Sequence, residues 1–184
     1  MPKFRIFKEQ PLNNNYLNPQ KDEIKSFFQQ KNGKELLEIK DDYVNQLMEK
    51  YKIDIPHLDY ENIHYEVKEE GNYDIYVFKL PFNGKNIDYF KLEPPKGIMW
   101  SRDVYIKGND LCFDIYDREM SVGEMIRKYK SIIKKIEEKS SNVNTFIKLL
   151  NDDLKMLIES EFNKRKKRIL NRKKKIDALA LPQD

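Results

Sequence analysis

Hydrophobic positions recur every three to four residues near both ends of the chain and every two in its middle, an order of helix, sheet and helix. A strand-like segment from Lys3 to Phe7 and an Asn-rich connector (Asn13 to Asn15) precede Asn18-Pro19, an N-cap residue followed by a proline suited to a first helical position. The spacing predicts one helix over 19–31, with Ile24, Phe27 and Phe28 on one side, and a second over 34–51, with Leu36, Leu37, Val44, Leu47 and Met48; Asn32-Gly33 separates them.

From Asp54 the period is two. Ile63, Tyr65 and Val67 alternate with polar residues, Gly71-Asn72 turns the chain into 73–80, and Asn83-Gly84 turns it into 85–92. Two-residue turns would pair Val67 with Tyr76, Tyr65 with Phe78 and Ile63 with Leu80, then Leu80 with Ile87 and Phe78 with Tyr89, all on one core face. Glu93-Pro94-Pro95-Lys96-Gly97 interrupts the sheet, and a further hairpin about Gly108-Asn109 pairs Ile106 with Leu111 and Val104 with Phe113. About five strands result. Ser121-Val122-Gly123-Glu124 has the form of a capping box, so a helix starts at Val122, buries Ile126, Tyr129, Ile132, Ile133 and Ile136, and ends near Ser140-Ser141. A last helix from Asn144 carries Ile147, Leu150, Leu154, Ile158 and Phe162 in one stripe; reaching Leu179, it spans on the order of 50 Å. The fold class is α+β: N-terminal helices, an antiparallel meander and a C-terminal helical hairpin, with segments 1–53, 54–120 and 121–184 in a single domain.

Of the 184 residues 39% are hydrophobic, enough for one ordinary core; 36% charged and 12% aromatic residues argue against a disordered or low-complexity chain. No run approaches 18 apolar residues and the N-terminus has no apolar stretch between its charges, so neither a membrane span nor a secretory signal is expected, and a cytoplasmic location is the default expectation. Cys112 is the single cysteine, which removes intrachain disulfides; between Leu111 and Phe113 it reads as an inert strand thiol.

Charge sharpens the picture at one place. Lys164, Arg165, Lys166, Lys167, Arg168, Arg172, Lys173, Lys174 and Lys175 are nine cations in twelve residues without an acid, and removing them takes the rest of the chain from +4 to −5. Like charges at i and i+4 repel, so helix physics tolerates such a run rather than favouring it. Arg165 and Arg172 prolong the line of Ile158 and Phe162, where an isolated domain would carry apolar side chains. Three readings compete: a solvated helix end whose cations suit the dipole, a grip on nucleic-acid phosphate, and a contact with an acidic partner chain. No aromatic residue follows Phe162, so the segment offers no stacking on bases.

Five pieces in order carry a family likeness: Ile55 to Val67, Leu80-Pro81-Phe82-Asn83-Gly84, Leu111 to Ile115, Lys167-Arg168-Ile169-Leu170 and Leu179-Ala180-Leu181-Pro182. Over roughly 54–182 the chain resembles the N-terminal region of large bacterial anti-phage defence proteins. Longer members of that family continue into a restriction-endonuclease-like nuclease or another effector domain. The resemblance implies a non-catalytic module, standing alone or preceding something longer, whose companion is a nuclease-type effector; residues 1–53 lie outside it.

Other constellations have bland readings beside them. His57, Asp59, Glu61, His64 and Glu66 suggest a metal site, yet His64 and Glu66 would be the solvent side of a half-buried strand, so no metal or cofactor is expected. Asp59, Glu66 and Lys68 echo the acid and lysine set of a small Mg²⁺-dependent nuclease, a chemistry sound in principle but a triplet expected by chance in so charged a chain. Trp100 is a loop contact or a core plug. A structural alternative makes Ile147, Leu150, Leu154 and Ile158 the seam of a homo-oligomer. The resulting expectation is a recognition or assembly module that meets nucleic acid or an acidic protein through its basic helix.

Overall fold

The computed structural model describes residues 2–8, 10–12, 16–31, 36, 42–93, 100–117 and 119–179. They form an α+β fold with β1 (Phe4–Arg5), β2 (Gln10–Pro11), α1 (Asn18–Gln30), α2 (Asp42–Tyr51), β3 (His57–Leu58), β4 (His64–Glu70), β5 (Tyr73–Asn83), β6 (Leu92–Glu93), β7 (Asp103–Lys107), β8 (Asp110–Asp117) and α3 (Val122–Leu179). The chain divides into two compact units, one of 1–13 with 53–147 and one of 14–52 with 148–184, rather than into three consecutive segments. The boundary falls within α3.

In the first unit the sheet order is β1, β7, β8, β5, with β4 and β3 both pairing to the outer edge of β5. The expected hairpins stand: Tyr65 faces Phe78, Val67 faces Tyr76 and Ile106 faces Leu111. Gly71 and Gly108 take φ of +64° in their turns, a conformation that glycine adopts without steric cost. The third meander strand is corrected. Residues 87–91 form a 3-10 turn instead of pairing with β5, and the partner of Phe78 and Leu80 is β8, through Phe113 and Leu111. In that turn Tyr89 and Phe90 are both fully buried, and β8 occupies the edge of β5 that the third meander strand would have used.

Both sheet faces carry apolar residues. Phe78, Leu80, Phe113 and Ile115 lie toward α3, where the Tyr129 ring stacks on Phe78 at 4.7 Å; Ile75, Val77 and Cys112 form a smaller cluster with Tyr73 and Tyr105 on the reverse. Phe7 is fully buried at a φ of +54°, its N–H donating to the Phe90 carbonyl at 2.6 Å and its ring meeting Tyr89 edge-on at 5.7 Å. Trp100 is half-buried beneath the Lys135 ammonium, 5.8 Å from its ring.

In the second unit α1 buries Ile24 and Phe28 and α2 buries Leu47, with Val44 and Met48 half-buried. Phe28 packs on Phe162 of α3 at 6.1 Å, and Glu23 of α1 accepts hydrogen bonds from Tyr51 and Lys50 of α2. The N-cap of α1 is Leu17, without a side-chain cap; Asn18 is already helical, one residue earlier than its side chain suggests. Leu36 is helical and buried, while the rest of 34–41, Leu37 included, lies outside the described residues.

The largest departure is α3, 58 residues without interruption. Its start follows the capping box: the Ser121 N–H and hydroxyl donate to Glu124 Oε2, and the Glu124 N–H returns to Ser121 Oγ. The hairpin break expected at Ser140-Ser141 does not occur. Ser140 donates its hydroxyl to the Glu137 carbonyl and Thr145 to that of Ser141, so these side chains are satisfied within the helix. The polar patch has partners across the first unit: Tyr60 bonds Ser140 Oγ at 3.2 Å, and Tyr89 donates to Asn144 Oδ1 at 2.7 Å and to the Ser140 carbonyl at 3.3 Å. Burial pushes both phenols up from their ordinary range, which keeps them protonated donors.

A signal for continuity is present in the spacing. Ile136, Ile147, Ile158 and Ile169 stand eleven residues apart, as do Ile132, Val143, Leu154, Arg165 and Ile176. Eleven residues in three turns is about 3.67 per turn, close to the 3.6 of the helix itself, so the stripe keeps its phase through Ser140 and Ser141.

Candidate functional site: the basic end of the long helix

Residues 164–175 are helical throughout, because nothing between Glu124 and Leu179 is glycine or proline and Lys and Arg are good helix formers. At 100° per residue, Lys164, Lys167, Arg168, Lys174 and Lys175 fall on the side opposite Ile158, Phe162 and Ile169, and all five are exposed. Along the axis that face runs about 17 Å.

The nine cations divide by what they touch. Lys164 pairs with Glu161 at 3.6 Å, and the Lys166 ammonium lies 5.5 Å from the Phe162 ring. Arg165 is half-buried and donates through Nη2 to the Lys31 carbonyl at 3.5 Å, just past the C-terminus of α1, where a cation suits the dipole; its buried Nε has no hydrogen-bond partner among the described residues. Arg165 therefore leaves the expected binding stripe and serves helix packing. Among the described residues, Lys167, Arg168, Arg172, Lys173, Lys174 and Lys175 have no hydrogen bond or ion pair. An exposed face on which positive charge outweighs its nearby acids attracts anions through field and mobile ion release.

The four seam residues are placed otherwise than an open seam requires. Ile147, Leu150, Leu154 and Ile158 are at most 2% exposed within the single chain, so their stripe is core, and a homotypic seam through them would first need that packing released.

Asp59 and Glu66, the carboxylates of the nuclease reading, are held by near neighbours. Asp59 accepts the Glu61 and Asn62 N–H groups and the Asn62 amide, a local turn that lowers its pKa chiefly through the Asn62 side chain. Glu66 is ringed by Lys79 at 2.6 Å, Lys68 at 3.5 Å and Lys107 at 3.7 Å, and the Lys79 bond holds its carboxyl below the usual range. Among the described residues no three His, Cys, Asp or Glu side chains converge on a metal position. Cys112 is buried, and burial raises its thiol to about 11, which leaves little thiolate for nucleophilic chemistry near neutrality. No described helix is long and apolar enough to cross a membrane.

Sequence reasoning missed one feature. A cleft of about 510 Å³ opens between the first turns of α3 and the β4–β5 hairpin, with Tyr65, Tyr76, Phe78, Met125, Ile126 and Tyr129 in its walls. Tyr65 and Val67, expected in the core, are 61% and 48% exposed there, and Ile126 is 47% exposed. Their alternation gives the face correctly; it does not say whether a helix covers that face at the sheet's edge.

No family model, curated protein or solved structure matches this chain. The geometry of the helix end and of the cleft is therefore what function has to be argued from.

Proposed function

We propose that this chain is a non-catalytic recognition module whose basic helix end binds the phosphate backbone of nucleic acid without reading base sequence. The observation that carries the reading is the set of six cations, Lys167, Arg168, Arg172 and Lys173 to Lys175, that have no hydrogen bond or ion pair among the described residues and stand on one uninterrupted helical stretch. Arginine offers paired N–H donors to phosphate oxygens, and lysine adds point charge, while the lack of aromatic residues beyond Phe162 supports backbone contact over base stacking. The resemblance to the front of anti-phage defence proteins supports a role beside a nuclease-type effector, with this module holding the nucleic acid and the effector cutting it.

Fluorescence anisotropy on a labelled random-sequence DNA duplex tests this. Arg168→Glu, Arg172→Glu and Lys175→Glu together should abolish binding near 50 mM salt, and replacing the three by Ala should flatten the slope of log K against log salt by about 3. Binding unchanged by the triple Glu variant, or no binding of the wild type to duplex or single-stranded DNA or RNA, overturns the proposal.

A further inference from the structure

The edge of β4 combines three features that point to one kind of occupant. First, β4 pairs with β5 on one side and, among the described residues, with no strand on the other, so alternate residues of this seven-residue strand direct their backbone groups outward. Such an edge is a template for an added strand. Second, the face beside that edge holds the apolar cleft, where Tyr65 stands exposed next to Tyr76 and Phe78, and Val67, paired with Tyr76, continues the exposed apolar face just outside it. An added strand would direct alternate side chains into it.

Third, the register places three carboxylates in a row on that same face. Glu69 lies opposite Asp74, and Asp74 opposite Asp117, one step beyond the row of Val67, Tyr76 and Ile115. Like charges directly across a sheet are destabilising, and among the described residues Glu69, Asp74 and Asp117 form no ion pair that would relieve them. Asp117 accepts the Met120 N–H at 2.7 Å. A second copy would offer this row a β4 strand that holds three glutamates, Glu66, Glu69 and Glu70, beside one lysine, Lys68, and so supplies it little positive charge. The charge therefore selects a different, positively charged chain.

We propose that β4 takes up an extended segment of a partner protein by strand addition. That segment has bulky apolar side chains at alternate positions for the cleft and lysine or arginine beside them for the Glu69–Asp74–Asp117 row. The site is separate from the basic helix end and does not depend on nucleic-acid binding there.

A synthetic peptide Arg-Lys-Arg-Thr-Leu-Thr-Phe-Thr-Leu, titrated into the full ¹⁵N-labelled chain, tests this. Expected are amide shifts concentrated in 64–70 and 117–129, and binding at least about tenfold weaker for a peptide whose three basic residues are Glu. Asp74→Lys, which relieves the carboxylate row, should melt at a higher temperature and bind the basic peptide at least about tenfold more weakly. Val67→Asp, at an exposed position, should lose binding and keep the fold. The proposal is overturned by no shift at about 1 mM peptide, by shifts confined to 164–179, by equal binding of the acidic peptide, or by a β4-dependent homodimer without peptide.

Discussion

Two stretches of α3 carry one spacing into opposite environments. Over 132–162 the stripe holds Ile132, Ile136, Val143, Ile147, Leu150, Leu154, Ile158 and Phe162, every one buried; over 165–176 its positions hold Arg165, Ile169, Arg172 and Ile176, half-buried or exposed. Helix formation is the same in both, because it follows from propensity and the absence of breakers. What differs is the neighbour. Where sheet or helices cover the stripe it is apolar, and where cover runs out the chain places cations around it.

The comparison breaks most visibly at its midpoint. Ser140→Pro removes a backbone donor and forces a ring into the preceding turn, which should cost about 3 kcal/mol or more. Urea unfolding followed by far-ultraviolet circular dichroism reads it, and an unchanged midpoint would show that the helix is not needed whole. Leu154→Ala should cost about 2–5 kcal/mol and Ile176→Ala no more than about 0.5, although both occupy the same place in the eleven-residue spacing. Equal losses would put the second stretch in a core as well.

Alkaline pH tests the sheet unit. Cys112 and Tyr89 lie with the sheet, and burial raises both acids above their ordinary values. A raised pKa favours the protonated, folded state, so the stabilisation is complete below the unfolded pKa, near 9.0 for the thiol, and is lost as pH rises toward about 11. For Cys112 alone that is about 2 kcal/mol, read as a fall in melting temperature above pH ~9 that Cys112→Ala reduces. The smallest effect sharpens the division among the cations. Arg165→Ala should cost about 1 kcal/mol through the lost bond to the Lys31 carbonyl, and Arg168→Ala should stay within about 0.5, measured by thermal melting.

The α+β class, the two tight hairpins, the capping box and the apolar side of α3 were legible because each depends on residues close in sequence. Ser140-Ser141 misled for the same reason. Serines and asparagine look like an end until Tyr60 and Tyr89 arrive from about 80 and 51 residues earlier to bond them, and no local rule contains that contact. The 85–92 segment misled through periodicity, since its consecutive Tyr89 and Phe90 satisfy no two-residue alternation. At the basic end the charge run was plain. That Arg165 belongs to α1 and not to the exposed face was not, because the Lys31 carbonyl lies 134 residues away.

Phe7 bears on how this chain can change. A non-glycine residue in the left-handed region costs about 1–2 kcal/mol, held here by a ring sealed against Tyr89 and Phe90. Glycine would relax the backbone and empty the site, alanine would keep the penalty and empty it too, and a β-branched substitute would worsen the first fault while mending part of the second. Mutational drift has few exits from that position, so an aromatic residue there should persist in any descendant that keeps this N-terminal turn.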